Sequence, residues 1–376
     1  VSPVYVLAAG GTGGHLFPAE AVARLLVEHG GAVHLLTDRR ADAFAAAVPG
    51  VTIDLVRAGR FGGGPLHAAY GLAELAVGMV QARRLLRQLA PAAVVGFGGY
   101  PSVPTMLAAA RLVRPTLIHE QNVVLGRANR LLAPRARRIA TGFAVVRGLR
   151  AADRDRAVYT GNPVRPAIGA IGTAPYSPPA ATIELLVVGG SQGARVFGQT
   201  VPPALAQLPP ELRSRLRVAQ QSRQEDSIAV AEALATSGVA FEVKPFFDDM
   251  PARLRRAHLV IGRAGASTIG ELAAAGRPAI LVPYPHAMDD HQTANAYEFA
   301  KSGGGWVIPQ TAFSAATLAE RLTALLADPA ALAAAASASR GFARDDAAEH
   351  LAGLVQSLVH GGNGGALGGE RLERAA

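Results

Sequence analysis

Val4-Tyr5-Val6-Leu7-Ala8-Ala9-Gly10-Gly11-Thr12-Gly13-Gly14-His15 is the stretch that decides the fold. It opens on a short β-branched apolar run, the pattern of a strand covered on both faces. It continues into a turn built from glycines and a threonine, and a helical pattern over residues 18–29 follows. Strand, glycine turn and helix in that order offer an anion several backbone N–H groups and a helix N-terminus. Glycine suits the turn because the backbone must approach a ligand closely and adopt positive φ. The turn has neither the GxGxxG spacing of a dinucleotide fold nor the GK[ST] of a nucleotide-hydrolase loop. His15 stands directly after it, at the mouth of any cleft it borders. Position alone leaves a functional and a structural histidine equally open.

The same unit recurs along the chain. Strands are expected at residues 4–8, 32–36, 51–56, 92–95, 116–118 and 138–140, with helical stretches such as 18–29 and 66–89 between them. A second series is expected at residues 183–188, 216–219, 240–243, 259–261, 279–282 and 306–308. Alternating strands and helices give parallel sheets with right-handed crossovers, and two series give two doubly wound α/β domains. A chain of 376 residues agrees with that count at roughly 150 residues per domain. Leu185-Leu186-Val187-Val188 runs into Gly189-Gly190-Ser191-Gln192-Gly193-Ala194-Arg195, an echo of the first turn. Gly96-Phe97-Gly98-Gly99-Tyr100-Pro101-Ser102 makes a third. All three follow the C-terminal ends of strands, where open α/β sheets bind ligands.

The expected division is 1–162 for the first domain and 163–340 for the second. A helix within 341–360 is expected to return to the first domain, and a glycine-rich tail over 361–376 to be disordered. The uncharged Gly-, Pro-, Ala- and Ser-rich stretch 168–182 reads as a linker or surface insertion.

Half of the residues are apolar and 17% are charged, enough for sizeable cores and too apolar for a disordered chain. The absence of cysteine excludes a disulfide scaffold, a cysteine zinc site and a thiol nucleophile. The first residues lack a basic stretch before their apolar run, so no secretory leader is expected there. The long uncharged run between Arg87 and Arg111 is broken by Pro91, Pro101 and Pro104, and reads as strand, turn and helix rather than a membrane span. Charge is lopsided. Residues 1–160 carry 19 Arg against 9 acids, whereas residues 161–376 carry 18 basic groups against 19 acids. Nine Arg fall between Arg127 and Arg156. A one-sided basic half points to a polyanionic partner, a nucleic acid or an anionic membrane surface. An arginine-favouring genome explains the rarity of lysine but not the asymmetry.

Other clusters carry two readings each. His119-Glu120-Gln121-Asn122 ends a strand, where four polar residues in a row read as ligand contact or cleft-shaping more readily than as a solvated turn. Gly161-Asn162-Pro163-Val164-Arg165 reads as a hinge, or as an Arg aimed at phosphate. In Arg263-Ala264-Gly265-Ala266-Ser267-Thr268-Ile269-Gly270-Glu271, Thr268 and Glu271 have the spacing of a helix capping box. The alternative is a carboxylate on a ribose diol, and spacing alone favours the cap. Asp290-His291-Gln292 enters a helix, with no second cluster to support a metal site. Asp153-Arg154-Asp155 lies in the basic stretch, off any strand end, and reads as solvated.

Taken together the motifs resemble the MurG family of peptidoglycan glycosyltransferases. The resemblance runs from about Val4 to about Val359. GGTGGH at 10–15, GFGGYPS at 96–102, HEQN at 119–122, GNPVR at 161–165, GGSQGAR at 189–195 and the 290–296 stretch carry it, in that order. It implies the GT-B fold, two Rossmann-like domains around a cleft. It also implies transfer of N-acetylglucosamine from UDP-GlcNAc to the 4-hydroxyl of MurNAc in lipid I, giving lipid II with inversion. His15 becomes the candidate base, in keeping with the ordinary pKa range of histidine. Thr12, Gly13 and Gly14 would lie near the sugar and acceptor. Ser191 with Gly190 and Gly193 would bind the pyrophosphate, and Glu271 the ribose. Arg263, Ala266, Ser267, Thr268, Ile269 and Gly270 would line the nucleotide pocket, with Phe247 at the uracil. Asn122, Arg165 and Gln292 would contact the donor. Gly98, Gly99, Tyr100, His119 and Glu120 would lie on the acceptor side.

No metal and no cofactor beyond the donor substrate are implied, because helix N–H groups and an Arg can stabilise the leaving pyrophosphate. The implied partners are UDP-GlcNAc, lipid I, an anionic membrane surface, and cell-wall synthesis and division proteins, with no nucleic acid. The implied place is the cytoplasmic face of the bacterial inner membrane, as a peripheral protein. Leu72, Leu75, Ala76 and Met79, followed by Arg83, Arg84 and Arg87, read equally as a membrane-facing patch with a basic rim or as core packing. Gln220-Gln221-Ser222-Arg223 departs from the His-Gln-Ser/Thr-Gly usual in relatives, which bears on donor contacts at that loop. Two rivals stand beside this reading: another GT-B enzyme on a UDP-sugar, such as an epimerase, and a nucleic-acid-binding protein. No RNA- or DNA-binding motif favours the latter.

Overall fold

The computed structural model describes residues 2–10, 13–38, 48–59, 64–190 and 193–359. They form two compact α/β units, one ending at Val164 and resumed from Arg344, the other spanning Arg165–Ala343. The first unit holds β1 (Val4–Ala8), β2 (Ala32–Thr37), β3 (Val51–Leu55), β4 (Ala93–Gly96), β5 (Thr116–Glu120), β6 (Arg138–Thr141) and β7 (Ala157–Tyr159). They pair in the order β3-β2-β1-β4-β5-β6-β7, all parallel. The second unit holds β8 (Ile183–Val188), β9 (Leu216–Gln221), β10 (Ala240–Lys244), β11 (Leu259–Gly262), β12 (Ala279–Leu281) and β13 (Gly305–Val307). Their order is β10-β9-β8-β11-β12-β13, again parallel. The central strands are buried on both faces, which is why they read as unbroken apolar runs.

Strand order reverses between β1 and β4 in one sheet and between β8 and β11 in the other. At such a switch point adjacent loops diverge and leave a crevice at the strand C-termini. The glycine turns after β1, β4 and β8 therefore fall where each sheet is built to take a ligand.

The helix Ala347–Ser357 belongs to the first unit. Leu351, Ala352, Val355 and Leu358 share a core with Ala19, Val22 and Leu26 of the helix Gly13–Glu28. The tail beyond residue 359 lies outside the described residues.

Several expectations need correction. The boundaries fall at Val164/Arg165 and Ala343/Arg344, because Arg165 pairs with Glu271 while Arg344 packs on Tyr159 and Gly161. The stretch from 168 is no free linker at its start: Ile168 and Ile171 are fully buried, and Arg340 donates to the Gly172 carbonyl. Strand β7 (Ala157–Tyr159) is not among the strands expected from sequence. Asp153 is buried rather than solvated, clasped by Arg150 at 2.7 and 3.0 Å and by Arg156. Its carboxyl is held below the ordinary range chiefly by the Arg150 hydrogen bond. Asp155 is exposed.

The helix Pro65–Leu89 turns Gly71, Gly78, Ala82 and Leu86 inward. Leu72 and Ala76 face solvent, together with Tyr70, Val77 and Val80, whereas Leu75 and Met79 are half-buried. Arg83, Arg84 and Arg87 continue the exposed face. No single described helix is long and apolar enough to cross a membrane.

Candidate active site

In the first unit the site grows from β1, β4 and β5. The strand β5 runs further than its apolar core suggests, taking in His119 and Glu120. Side chains alternate along a strand, so His119 and Gln121 share one face and Glu120 takes the other. His119, Glu120 and Gln121 are all buried. Glu120 is filled by protein donors. Its Oε1 accepts from the backbone and side-chain nitrogens of Asn122 at 3.0 and 3.1 Å. Its Oε2 accepts from the Gly126 N–H and Asn129 Nδ2, both at 2.9 Å. The carboxylate thus shapes the loop after β5, and Asn122 is bound to it rather than reaching out alone.

On the other face Gln121 joins two histidines. Its Oε1 lies 3.1 Å from His15 Nδ1, and its Nε2 lies 3.1 Å from His119 Nδ1. Nε2 also donates to the Phe97 carbonyl at 2.9 Å. The imidazole of His119 is edge-on to Phe97, and its Nε2 meets the Gly161 carbonyl at 3.3 Å. Burial pushes the His119 pKa down to about 4, against the pull of the Gly161 carbonyl and with a small push from His15. Gly98 and Gly99 take φ of +90° and +74° and lie against the His15 ring. A Cβ on Gly98 would stand 3.2 Å from His15 Cε1, so a side chain there is strained by conformation and crowded by the ring. Tyr100 is half-buried in the same turn. Gly13 and Gly14 open the helix that carries His15; Thr12 lies outside the described residues. Gln121 is read from sequence only as a member of the HEQN cluster, with no role of its own, and Asn129 is not singled out. The two-residue alternation of HEQN held the signal for Gln121.

In the second unit the loops after β8 and β11 converge. Gly190 and Gly193 adopt φ of +79° and +65°. Gly193 lies against Arg223, whose Cγ would stand 2.9 Å from a Cβ there. Gln221 Oε1 receives the Gly189 N–H at 3.2 Å. The helix Arg195–Ala206 begins just beyond, with no side-chain cap from Ala194 and the Phe197 N–H turned to the Ala194 carbonyl at 2.9 Å. Ser191 falls outside the described residues.

After β11 the helix Ala266–Ala275 starts at the N-cap Gly265, again with no side-chain cap. Thr268 is therefore inside the first turn, and the capping-box reading of Thr268 and Glu271 fails. Ala266 and Ile269 are buried, while Ser267, Thr268 and Gly270 are half-buried. Glu271 instead binds Arg165, which places Nε at 3.1 Å and Nη2 at 2.8 Å on the same oxygen, Oε1. Burial raises the Glu271 pKa, with Arg165 opposing. Gln292 ties the pocket walls together, its Oε1 accepting from the N–H groups of Ala264 at 3.3 Å and Tyr284 at 3.0 Å. Arg263 is committed to the carbonyls of Val282 and Pro283 at 3.0 and 3.2 Å and sits near the Phe197 and Tyr284 rings. Phe247 is buried under the Arg253 guanidinium, 3.9 Å from the ring centroid. Gln220 is fully buried, with neither amide atom hydrogen-bonded among the described residues.

These arrangements match known proteins across both units. Residues 5–141 match the glycosyltransferase family 28 N-terminal domain, and residues 184–351 the family 28 C-terminal domain. The UDP-N-acetylglucosamine--N-acetylmuramyl-(pentapeptide) pyrophosphoryl-undecaprenol N-acetylglucosamine transferase of Rhodospirillum centenum is 56% identical, covering 96% of this chain and 95% of that one. The protein of the same name from Paramagnetospirillum magneticum is 51% identical over 95% of this chain and 97% of its own. The crystal structure of Acinetobacter baumannii MurG superposes with a TM-score of 0.76 at 33% identity, covering 94% of this chain and 99% of that one. The chain belongs to the MurG family of glycosyltransferases and has its GT-B fold of two parallel-sheet α/β domains.

Proposed function

We propose that the chain transfers N-acetylglucosamine from UDP-GlcNAc to the 4-hydroxyl of MurNAc in lipid I, forming lipid II. The observation that carries this is the 56% identity, through both units, to a relative whose name states the reaction. The acceptor oxygen attacks the anomeric carbon, the bond to the UDP oxygen breaks, and UDP leaves with the electron pair. The new linkage is β. His15 takes the hydroxyl proton, as a general base presented at the first sheet's switch point. In the second unit, the N–H groups around Gly190 and Gly193 and the N-terminus of the helix Arg195–Ala206, with Ser191, meet the pyrophosphate as it gains charge. Glu271 accepts from the ribose through Oε2, since Arg165 occupies Oε1. No step requires a metal ion. The apolar face of the helix Pro65–Leu89 with its Arg rim holds the protein at the cytoplasmic surface of the inner membrane, where lipid I is presented.

The test is transfer of radiolabelled GlcNAc from UDP-GlcNAc to a lipid I analogue, with and without chelator, by the wild type and His15→Ala. The expected result is acceptor-dependent product that survives chelation, and a loss of about a hundredfold or more in the variant. Sugar-nucleotide conversion without acceptor would mark an epimerase instead. Near-normal turnover by a folded His15→Ala would move the base elsewhere.

A further inference from the structure

We propose that Gln121, anchored by His119, is a positioning residue that fixes His15 as the Nδ1–H tautomer and so puts the lone pair of the neutral ring on Nε2. This rests on the reading of His15 as the base. The assignment follows from groups that can only accept. Gln121 is 2% exposed and one end of its amide lies 2.9 Å from the Phe97 carbonyl and 3.1 Å from the His119 carbonyl. A carbonyl oxygen offers no hydrogen, so that end is the NH2. The opposite orientation would press the amide oxygen against two carbonyl oxygens in a buried place, with no hydrogen between them. The amide oxygen therefore faces His15 Nδ1 at 3.1 Å. It too only accepts, so the hydrogen is on His15 Nδ1.

The far end of the chain is fixed in the same way. His119 Nε2 meets the Gly161 carbonyl at 3.3 Å. Its proton is thus on Nε2, leaving Nδ1 as an acceptor 3.1 Å from the Gln121 NH2, whose two hydrogens are shared among this nitrogen and the Phe97 and His119 carbonyls. Every link has one polarity: His15 donates to Gln121, Gln121 to His119, and His119 to Gly161. Burial keeps His119 neutral, with a pKa near 4, so it does not reverse the chain when His15 gains a proton. Gly98 and Gly99 of the adjoining turn leave room for the His15 ring, which stands 3.2 and 3.3 Å from where their Cβ atoms would be. An amide here does what a carboxylate does in a Ser-His-Asp triad, setting tautomer and orientation.

The experiment uses the full chain in four forms: wild type, Gln121→Met, His15→Ala and the double variant. Ring ¹⁵N shifts of labelled histidine give the His15 tautomer, thermal melting reports folding, and kcat and KM are measured with the lipid I analogue. The expected wild-type ring is Nδ1–H. Gln121→Met should populate the other tautomer and lower kcat about tenfold or more, with KM for UDP-GlcNAc unchanged. The double variant should be no slower than His15→Ala, because the two residues act as one unit. A folded Gln121→Met with wild-type kcat, beside a slow His15→Ala, overturns the positioning role alone. A wild-type rate in His15→Ala overturns the base reading instead. Should Gln121→Met fail to fold, the wild-type spectrum decides, and an Nε2–H ring overturns the proposal.

Discussion

At the scale of single residues, His119 and Glu271 are ionisable groups taken largely out of water, and they meet the cost differently. Glu271 is raised by burial but partly rescued by a cation, Arg165. Among the described residues the His119 ring hydrogen-bonds only the Gly161 carbonyl and the Gln121 amide, and neither supplies a counter-charge. Its pKa near 4 in the fold contrasts with about 6.5 in the unfolded chain. Above pH 6.5 both states are neutral and the residue adds no pH dependence. As pH falls from 6.5 towards 4, only the unfolded chain takes the proton, so stability drops, by about 3 kcal/mol once pH 4 is reached. His119→Gln removes that titration. Urea midpoints of the variant should therefore decline less between pH 7 and pH 4 than those of the wild type. Parallel curves would mean that the imidazole is not held neutral in the fold.

At the scale of elements, a helix glycine is decided by what its missing Cβ would meet. Gly78 lies mid-helix in Pro65–Leu89, where a Cβ would collide with the Arg57 carbonyl. Gly353 lies in Ala347–Ser357 with nothing within 4 Å. Helix propensity alone favours alanine at both by about 1 kcal/mol. Gly353→Ala should raise the melting temperature by roughly that gain, whereas Gly78→Ala should lower it, since overpacking against backbone costs about 1–3 kcal/mol. Equal effects would mean that the segment at Arg57 yields. The same distinction separates what was legible in the sequence. Strands such as β1 and β8 were readable to the residue because burial on both faces leaves an apolar run bounded by a glycine turn. The end of β5 was not, because its last residues are polar and each has a partner beyond the local pattern: Asn129 for Glu120, His15 for Gln121 and Gly161 for His119. Thr268 and Glu271 show the reverse error. Their spacing is that of a cap, but the helix starts at Gly265, and the true partner of Glu271 is 106 residues away. Local patterns found the elements and the glycine turns; the pairings at the site are long-range and needed the fold.

At the scale of the whole molecule, the excess of Arg in residues 1–160 has an address. Tyr70, Leu72, Val77 and Val80 stand 69%, 62%, 41% and 52% exposed on the helix Pro65–Leu89, too much apolar surface in one stripe for a face meant for water alone. Arg83, Arg84 and Arg87 follow on the same helix, exposed. The helix Ser102–Arg111 packs between this helix and Arg127–Leu132, which adds exposed Arg127, Arg130 and Leu131. Exposed apolar side chains followed by guanidinium groups on one helix suit an anionic bilayer, where the chains would enter the headgroup boundary and each Arg would contribute about 1 kcal/mol. Nucleic acid would use the cations but leave the apolar stripe in water. The proposed docking is therefore both charge- and burial-dependent. Replacing Arg83, Arg84 and Arg87 together by Gln should weaken binding to phosphatidylglycerol vesicles on the order of a hundredfold, and raised salt should do the same to the wild type. Leu72→Glu with Val80→Glu should abolish vesicle binding while leaving UDP-GlcNAc binding intact, because both positions lie in the first unit and the residues proposed for the pyrophosphate and ribose, Gly190, Gly193 and Glu271, lie in the second. Vesicle sedimentation measures all three. Wild-type binding that ignores salt and both sets of substitutions would place the membrane contact elsewhere and leave the stripe to a protein partner.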